Sequence, residues 1–233
     1  MKEILKKYNI KPNKRLGQNF LTDKSVLRKI INAADLKSDD TVLEIGPGLG
    51  ILTKELAKRV KKVIAIEKDK RLADLLTGVE VINQDALKYT VSIMDYKLIA
   101  NLPYYIASPI IRKFLEIKNK PELMVLMVQK EVAKRIVDKK GSILSISVKF
   151  YADVEIISYV SKKSFYPKPK VDSAIIKIVP KEIPDIDVKE FFNLVKKGFS
   201  SKRKMLRNNL NIDSDKRAEE LSVQDWINLY EKR

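Results

Sequence analysis

The sequence predicts an α/β fold: a parallel, doubly wound sheet followed by a small all-helical C-terminal domain. Three observations predict it. Strand-length apolar runs alternate with segments of helical spacing through the first half of the chain, the pattern of a parallel sheet built from right-handed crossovers. Those runs are almost continuously apolar, as strands are when both faces of a sheet are covered. After PKEIPD (180–185) no strand pattern remains. The boundary is therefore set near residue 180, giving 1–180 for the sheet with a basic N-terminal arm and 181–233 for the helical part.

The elements follow in order. Thr22 or Asp23 caps a helix carrying Val26, Leu27, Ile30, Ile31 and Ala34. TVLEIG (41–46) reads as a buried strand that runs into PGLG, and Leu52, Leu56 and Val60 suit the next helix. KVIAIE (62–67) is a second strand, followed by helical spacing at Leu72, Leu75 and Leu76. VEVINQD (79–85) is a third strand and KLIAN (97–101) a fourth, with Ile110, Ile111, Phe114 and Leu115 on the helix behind it. ELMVLMVQ (122–129), ILSISVKF (143–150), VEIISYV (154–160) and SAIIKIV (173–179) complete the strands. Two late strands close in sequence suggest an antiparallel pair at one edge. Beyond 180, Asp187 with Glu190 makes a capping-box-like start. Val188, Phe191, Phe192 and Val195 then fall at helical spacing, and a last helix holds Trp226, Ile227 and Tyr230.

Composition narrows the chemistry. The 233 residues contain no Cys and no His, so thiolate chemistry, disulfides and the commonest general base and metal ligand are excluded. No metal site is predicted. No apolar run is long enough for a membrane span or a signal peptide, and a cytoplasmic protein is expected. The net charge is +17 and it is clustered. Residues 1–15 carry net +5, residues 161–172 net +3 and residues 189–207 net +6, which leaves +3 for everything else. A lysine-rich thermophile surface explains many lysines but explains the clustering poorly. Three concentrated segments fit a polyanion footprint. Lys14, Arg15, Lys168, Lys170, Lys202, Arg203, Lys204 and Arg207 are the candidate nucleic-acid contacts.

EIGPGLG places Gly46, Gly48 and Gly50 directly after a strand. Glycine there lets the backbone turn tightly and approach a ligand. The dinucleotide fingerprint requires Gly or Ala at position 51, where this chain has Ile51, and no G-x-x-x-x-G-K-[ST] loop is present. The variant points away from phosphate-bearing ligands. Ligands of doubly wound sheets bind at the carboxyl ends of the strands. Here four consecutive ends are polar: the glycine loop, Glu67, Asp85 and Asn101. Each acid alone reads as a solvated strand end. Together they suit an adenosine without phosphates, with Glu67 on the ribose hydroxyls and Asp85 on the adenine amino group. S-adenosylmethionine is the ligand that fits.

The Asn-Leu-Pro-Tyr sequence at 101–104 follows the fourth strand. The N6 lone pair of adenine is delocalised into its ring and is a poor nucleophile. Two acceptors aimed at its N–H bonds pull the nitrogen toward tetrahedral geometry and free that pair. The Asn101 side-chain oxygen and the Leu102 carbonyl suit this role. Pro103 stiffens the loop, and the Tyr104 ring offers a stacking platform for an extruded base. No general base is needed; catalysis is alignment. The plainer reading is a strand-to-helix turn with core tyrosines. The position beyond a methyl-donor site favours catalysis.

The chain resembles the ribosomal RNA adenine N6,N6-dimethyltransferase family over nearly its whole length. RLGQNFL (15–21), VLEIGPGLG (42–50), AIEKD (65–69), QDAL (84–87), NLPYYIASP (101–109), VQKEVAKRI (128–136), SFYPKPKVDSA (164–174) and FSSKRKMLRNNL (199–210) carry the resemblance, and an archaeal-type member is expected. The resemblance implies a Rossmann-like methyltransferase sheet with a small helical RNA-binding domain. It implies S-adenosylmethionine as cofactor, and dimethylation of two adjacent adenosines near the 3′ end of small-subunit rRNA within an immature subunit. A monomer is expected. By the same resemblance Gln18, Asn19 and Leu21 border the cofactor, Gly46 and Gly48 face it, Glu67 holds the ribose and Asp85 the adenine. Asn101, Leu102, Pro103 and Tyr104 form the target-amine site, with Asn101 also bordering the cofactor. Phe165 and Tyr166, with Tyr104 and Pro167, flank the target base. Three features depart from the family: a short 138–147 segment, a compact C-terminal part, and Tyr105 where bacterial members often have Asn. Two rivals remain, a large-subunit rRNA adenine methyltransferase of the antibiotic-resistance type and a non-catalytic RNA-binding assembly factor. The resistance type tends to carry Ile at position 102 and to lack the 199–210 match.

Overall fold

The computed structural model describes residues 2–201, 204–210, 212 and 214–232. The candidate contacts Lys202 and Arg203 lie outside the described residues. A seven-stranded mixed sheet forms the centre. Its strands are β2 (Thr41–Ile45), β3 (Lys62–Glu67), β4 (Glu80–Asn83), β5 (Tyr96–Asn101), β6 (Leu123–Gln129), β7 (Ala152–Val160) and β9 (Ser173–Pro180), in the order β4-β3-β2-β5-β6-β9-β7. The first five run parallel, and β9 is antiparallel to both β6 and β7. The chain leaves β2 toward β3 and β4, then returns to the other side for β5. That reversal makes β2 and β5 the switch point, where the strand ends open a crevice.

Each face of this sheet is covered. On one side α2 (Lys24–Ala33) and α3 (Ile51–Ala57) pack with Val42, Val63, Ile99 and Val125; on the other α5 (Ala107–Glu116) packs Ile110, Ile111 and Phe114 under Leu43, Leu98 and Leu126. Asp23 is the cap of α2, its carboxylate accepting from the Ser25 N–H at 2.9 Å. After β3, α4 spans only Lys70–Ala73, so Leu75 and Leu76 fall beyond the helix.

The ILSISVKF segment corrects the strand expected from sequence. It is the helix α7 (Ile143–Tyr151), which follows α6 (Lys130–Val137). Ser142 and Ser145 close a reciprocal capping box at its start, with bonds of 3.1 and 2.7 Å. α7 packs against α5, α6 and the C-terminal helices. Buried on several sides, it shows no polar face and hence no helical period. The antiparallel edge is real, but β9 supplies it by returning between β6 and β7.

Of the C-terminal helices, α8 (Val188–Gly198) and α10 (Val223–Glu231) lean on α7, and α9 (Leu206–Leu210) on α8. Asp187 caps α8 through the Glu190 N–H at 3.0 Å. Phe150 stacks on Phe191 with ring centroids 4.7 Å apart, and Phe199 stacks on the fully buried Trp226. The apolar cluster is therefore continuous from the sheet to Trp226. At the other end of the chain, the N-terminal helix α1 (Lys2–Lys7) buries Leu5 beside Ile10, Phe20 and Leu72.

Candidate active site

The switch-point crevice is built by four strand ends and one returning segment. After β2 the chain turns through Gly46-Pro47-Gly48. Gly48 has φ 60°, and a Cβ there would sit 3.2 Å from two ring carbons of Phe20. Only glycine relieves both the conformation and the contact.

Glu67, at the tip of β3, holds this turn. Its Oε2 accepts from the Gly48 N–H at 3.1 Å and its Oε1 from the Asp69 N–H at 2.8 Å. Burial raises its pKa, although those backbone donors favour the charged form. Asp69 binds the Arg71 guanidinium and accepts from Gln18 Nε2 at 2.8 Å, and the Arg71 bond foremost lowers its pKa. Gln18 is thereby fixed across from the β3 tip.

Asp85 follows β4. Its Oδ1 accepts from the Leu87 N–H at 3.0 Å, and its Oδ2 pairs with Lys68 Nζ at 2.8 Å. The Lys68 bond is the chief reason its carboxyl lies below the usual range.

Asn101 ends β5. Its Nδ2 donates to the Asn19 carbonyl at 3.3 Å, and among the described residues no donor meets Oδ1. Leu102 drives its side chain into the core at 2% exposure, and its N–H donates to the Met127 carbonyl at 3.3 Å. Among the described residues no donor reaches the Leu102 carbonyl. Pro103, at φ −55°, leads into a short turn at Tyr104–Ile106. The Tyr104 hydroxyl bonds Ser173 Oγ on β9 at 2.8 Å, and burial raises its pKa.

The roof comes from far away in sequence. The strand β1 (Phe20–Leu21) pairs with β8 (Phe165–Tyr166), setting Phe20 against Tyr166 and Leu21 against Phe165. Gly17 lies against Pro103 and Tyr105. So one segment, 17–21, touches the Pro103–Tyr105 loop and closes the crevice.

A single cavity is lined by Gln18, Asn19, Leu21, Gly46, Gly48, Glu67, Asp85, Asn101, Leu102, Pro103, Tyr104 and Phe165. The residues expected at the cofactor and the target amine are thus brought together. Tyr166 is not among the residues lining this cavity. Neighbouring residues of a strand face opposite ways; Phe165 lines the cavity while Tyr166 packs toward Phe20 and Leu72 with Lys2 Nζ over its ring. Lys14, Arg15, Lys168, Lys170 and Lys204 are exposed, and Arg207 is exposed and paired with Asp215 at 2.7 Å.

Sequence reasoning missed Glu44. It sits inside β2 at 1% exposure, lines the cavity, and its Oε2 has no hydrogen-bond partner. Burial, and the charge of Glu67, push its pKa up to about 8. The signal was an acid within an otherwise apolar strand.

The lining tests the cofactor. Beside the protonated Glu44 it holds two acids, Glu67 and Asp85, and among the described residues one cation, Lys68, which Asp85 already engages. Such a wall repels phosphates and suits a ligand that is cationic and rich in hydroxyl and amino donors. S-adenosylmethionine fits on both counts. Glu67 would hold the ribose, Asp85 the adenine, and the Gly46–Gly48 turn the methionine part.

Residues 9–231 match the model of a family described as ribosomal RNA adenine dimethylase. The chain is 45% identical to the ribosomal RNA small subunit methyltransferase A of Dehalococcoides mccartyi, over 98% of this chain and 90% of that one. It is 44% identical to the protein of the same name from Halothermothrix orenii, over 97% and 82%. Both relatives are bacterial, and they do not support the archaeal-type placement expected from sequence. A dimethyladenosine transferase from Plasmodium falciparum superimposes with a TM-score of 0.84 at 32% identity, covering 91% of this chain and 96% of that one. The 23S rRNA methyltransferase ErmE superimposes with a TM-score of 0.78 at 27% identity, over 92% and 99%.

Proposed function

The chain belongs to the ribosomal RNA adenine dimethylase family, and we propose that it transfers methyl groups from S-adenosylmethionine to N6 of two adjacent adenosines near the 3′ end of small-subunit rRNA, giving N6,N6-dimethyladenosine. The observation that carries this reading is the pairing of two acceptors with no donor among the described residues, Asn101 Oδ1 and the Leu102 carbonyl, with an acid-lined cavity whose one lysine, Lys68, is held by Asp85. When bound, the cofactor supplies an electrophilic methyl group on a cationic sulfur.

The chain's own residues do the rest. In the first transfer Asn101 Oδ1 and the Leu102 carbonyl accept hydrogen bonds from the two N–H groups of the target amine and turn its lone pair toward the donor; in the second the one remaining N–H bonds one of them, and after each transfer the methylated amine releases its proton to solvent. Leu102, anchored by its buried side chain, and Pro103 keep those oxygens from drifting. Tyr104, tethered to Ser173, offers its ring to the extruded base, and Phe165 closes the cavity wall. Burial raises the pKa of Glu44 to about 8, so its carboxyl adds no fixed charge to the floor at neutral pH. Proximity and orientation in such a site replace acid–base catalysis. The reaction neutralises the cationic sulfur, so a water-excluded pocket favours the transition state.

The RNA is held by the exposed Lys14, Arg15, Lys168 and Lys170, and by the helical domain after residue 180 with Lys204 and Arg207. The natural substrate in this reading is an immature small subunit in the cytoplasm, engaged by a monomer. The likeness to ErmE favours a second reading, methylation of large-subunit rRNA. Leu102 and FSSKRKMLRNNL (199–210) weigh against it. Labelled methyl donor offered with naked rRNA of each subunit and with immature small-subunit particles tests both. Adjacent dimethyladenosines in the small-subunit RNA support the first reading. Label confined to large-subunit RNA supports the second, and no label in any RNA leaves only an RNA-binding assembly factor.

A further inference from the structure

We propose that Lys113, on α5, is a positioning residue for the adenine end of the cavity: it holds the 86–89 turn behind Asp85 and ties that turn to the helix following the catalytic loop. This rests on the cofactor reading above. The turn is a single helical loop with a partner at each end. Its N–H groups face Asp85: Leu87 donates to the carboxylate Oδ1, and Lys88 and Tyr89 donate to the Asp85 carbonyl at 2.8 and 3.1 Å. Its carbonyls face Lys113. The ammonium donates to Ala86 at 2.9 Å, to Leu87 at 3.0 Å, and to Tyr89. A lysine has three N–H donors, and all three are used.

A cation on the last carbonyls of a turn satisfies orphan acceptors and complements the local dipole. Burial lowers the Lys113 pKa, while Asp85 opposes that shift. The stem is mounted rigidly, because Ile110, Ile111 and Phe114 of the same helix are fully buried. Ala86, held through its carbonyl, lines the cavity, as does Asp85. α5 begins directly after the Tyr104–Ile106 turn. Lys113 therefore fixes the adenine wall relative to the target-amine loop. No part of Lys113 lines the cavity, so its effect runs through the turn.

The test compares S-adenosylhomocysteine with S-inosylhomocysteine, in which a carbonyl oxygen replaces the adenine amino group. Lys113→Met keeps the stem and leaves three carbonyls unpaired, a loss that converts to about tenfold weaker S-adenosylhomocysteine binding by calorimetry. The inosine analogue loses less, so the preference for adenine narrows. Turnover at saturating cofactor stays within about threefold while the cofactor KM rises. Lys113→Arg, which keeps the charge on a planar fork, falls between parent and Met, and it carries the same comparison where the Met variant does not fold. Unchanged preference in either variant, or an equal loss for both nucleosides, overturns the proposal. A parent chain that binds neither nucleoside overturns the cofactor reading itself.

Discussion

Asn101→Ala separates catalysis from binding. The substitution removes one acceptor for the target amine and one hydrogen bond, from Nδ2 to the Asn19 carbonyl. That bond is long at 3.3 Å, so its loss is worth about 0.5–1 kcal/mol and lowers Tm by roughly 1–4 °C in a chain of this size. The catalytic loss is larger. Removing one preorganised partner for charge developing in a transition state costs on the order of 3 kcal/mol, about a hundredfold in kcat. Glu67, Asp85 and the Gly46–Gly48 turn remain in place, so affinity for S-adenosylhomocysteine changes by less than about threefold. Labelled methyl transfer under single-turnover conditions reads the first quantity and calorimetry the second. Turnover within tenfold of the parent, or a loss of cofactor affinity as large as the loss of rate, would refute the role given to Asn101.

Other perturbations reach separate parts of the account. Gly48→Ala forces a side chain at φ 60° against Phe20; the strain of about 1–2 kcal/mol lowers Tm by several degrees, and displacement of Phe20 weakens cofactor binding, so unchanged melting and calorimetry would contradict the packing. Glu44 holds a proton in the folded chain up to about pH 8 but loses it near its ordinary value when unfolded. The parent therefore loses stability relative to Glu44→Gln as pH rises from about 5 to 8, and the difference levels above that; a Tm difference constant across this range is the opposing result. Neutralising Lys14, Arg15, Lys168 and Lys170 together reduces the slope of log affinity against log salt by about 0.7 for each RNA phosphate that no longer meets a cation, and an unchanged slope would remove these residues from the RNA footprint.

Much of the fold was legible because burial writes itself plainly on parallel strands. Thr41–Ile45, Lys62–Glu67 and Tyr96–Asn101 are apolar where both faces are covered, and each ends on the residue that lines the cavity. The caps at Asp23 and Asp187 were equally local signals. The helix Ile143–Tyr151 was not legible, since four neighbouring helices bury it and erase its period. The pairing of Phe20 with Tyr166 joins residues 146 apart in a ladder of two pairs, which no local pattern announces. That ladder also decides which of Phe165 and Tyr166 faces the cavity. Glu44 is an acid within an apolar strand, whereas nothing in the local sequence singles out Lys113. Its role exists only because the 86–89 carbonyls converge on it.

A ternary crystal structure, with S-adenosylhomocysteine and an RNA fragment bearing the two adenosines, tests the central claim most directly. The extruded adenine should place N6 within about 3.2 Å of both Asn101 Oδ1 and the Leu102 carbonyl, with its ring against Tyr104 and its amine in line with the cofactor sulfur. An amine bonded elsewhere, with those two oxygens turned away from it, would contradict the account.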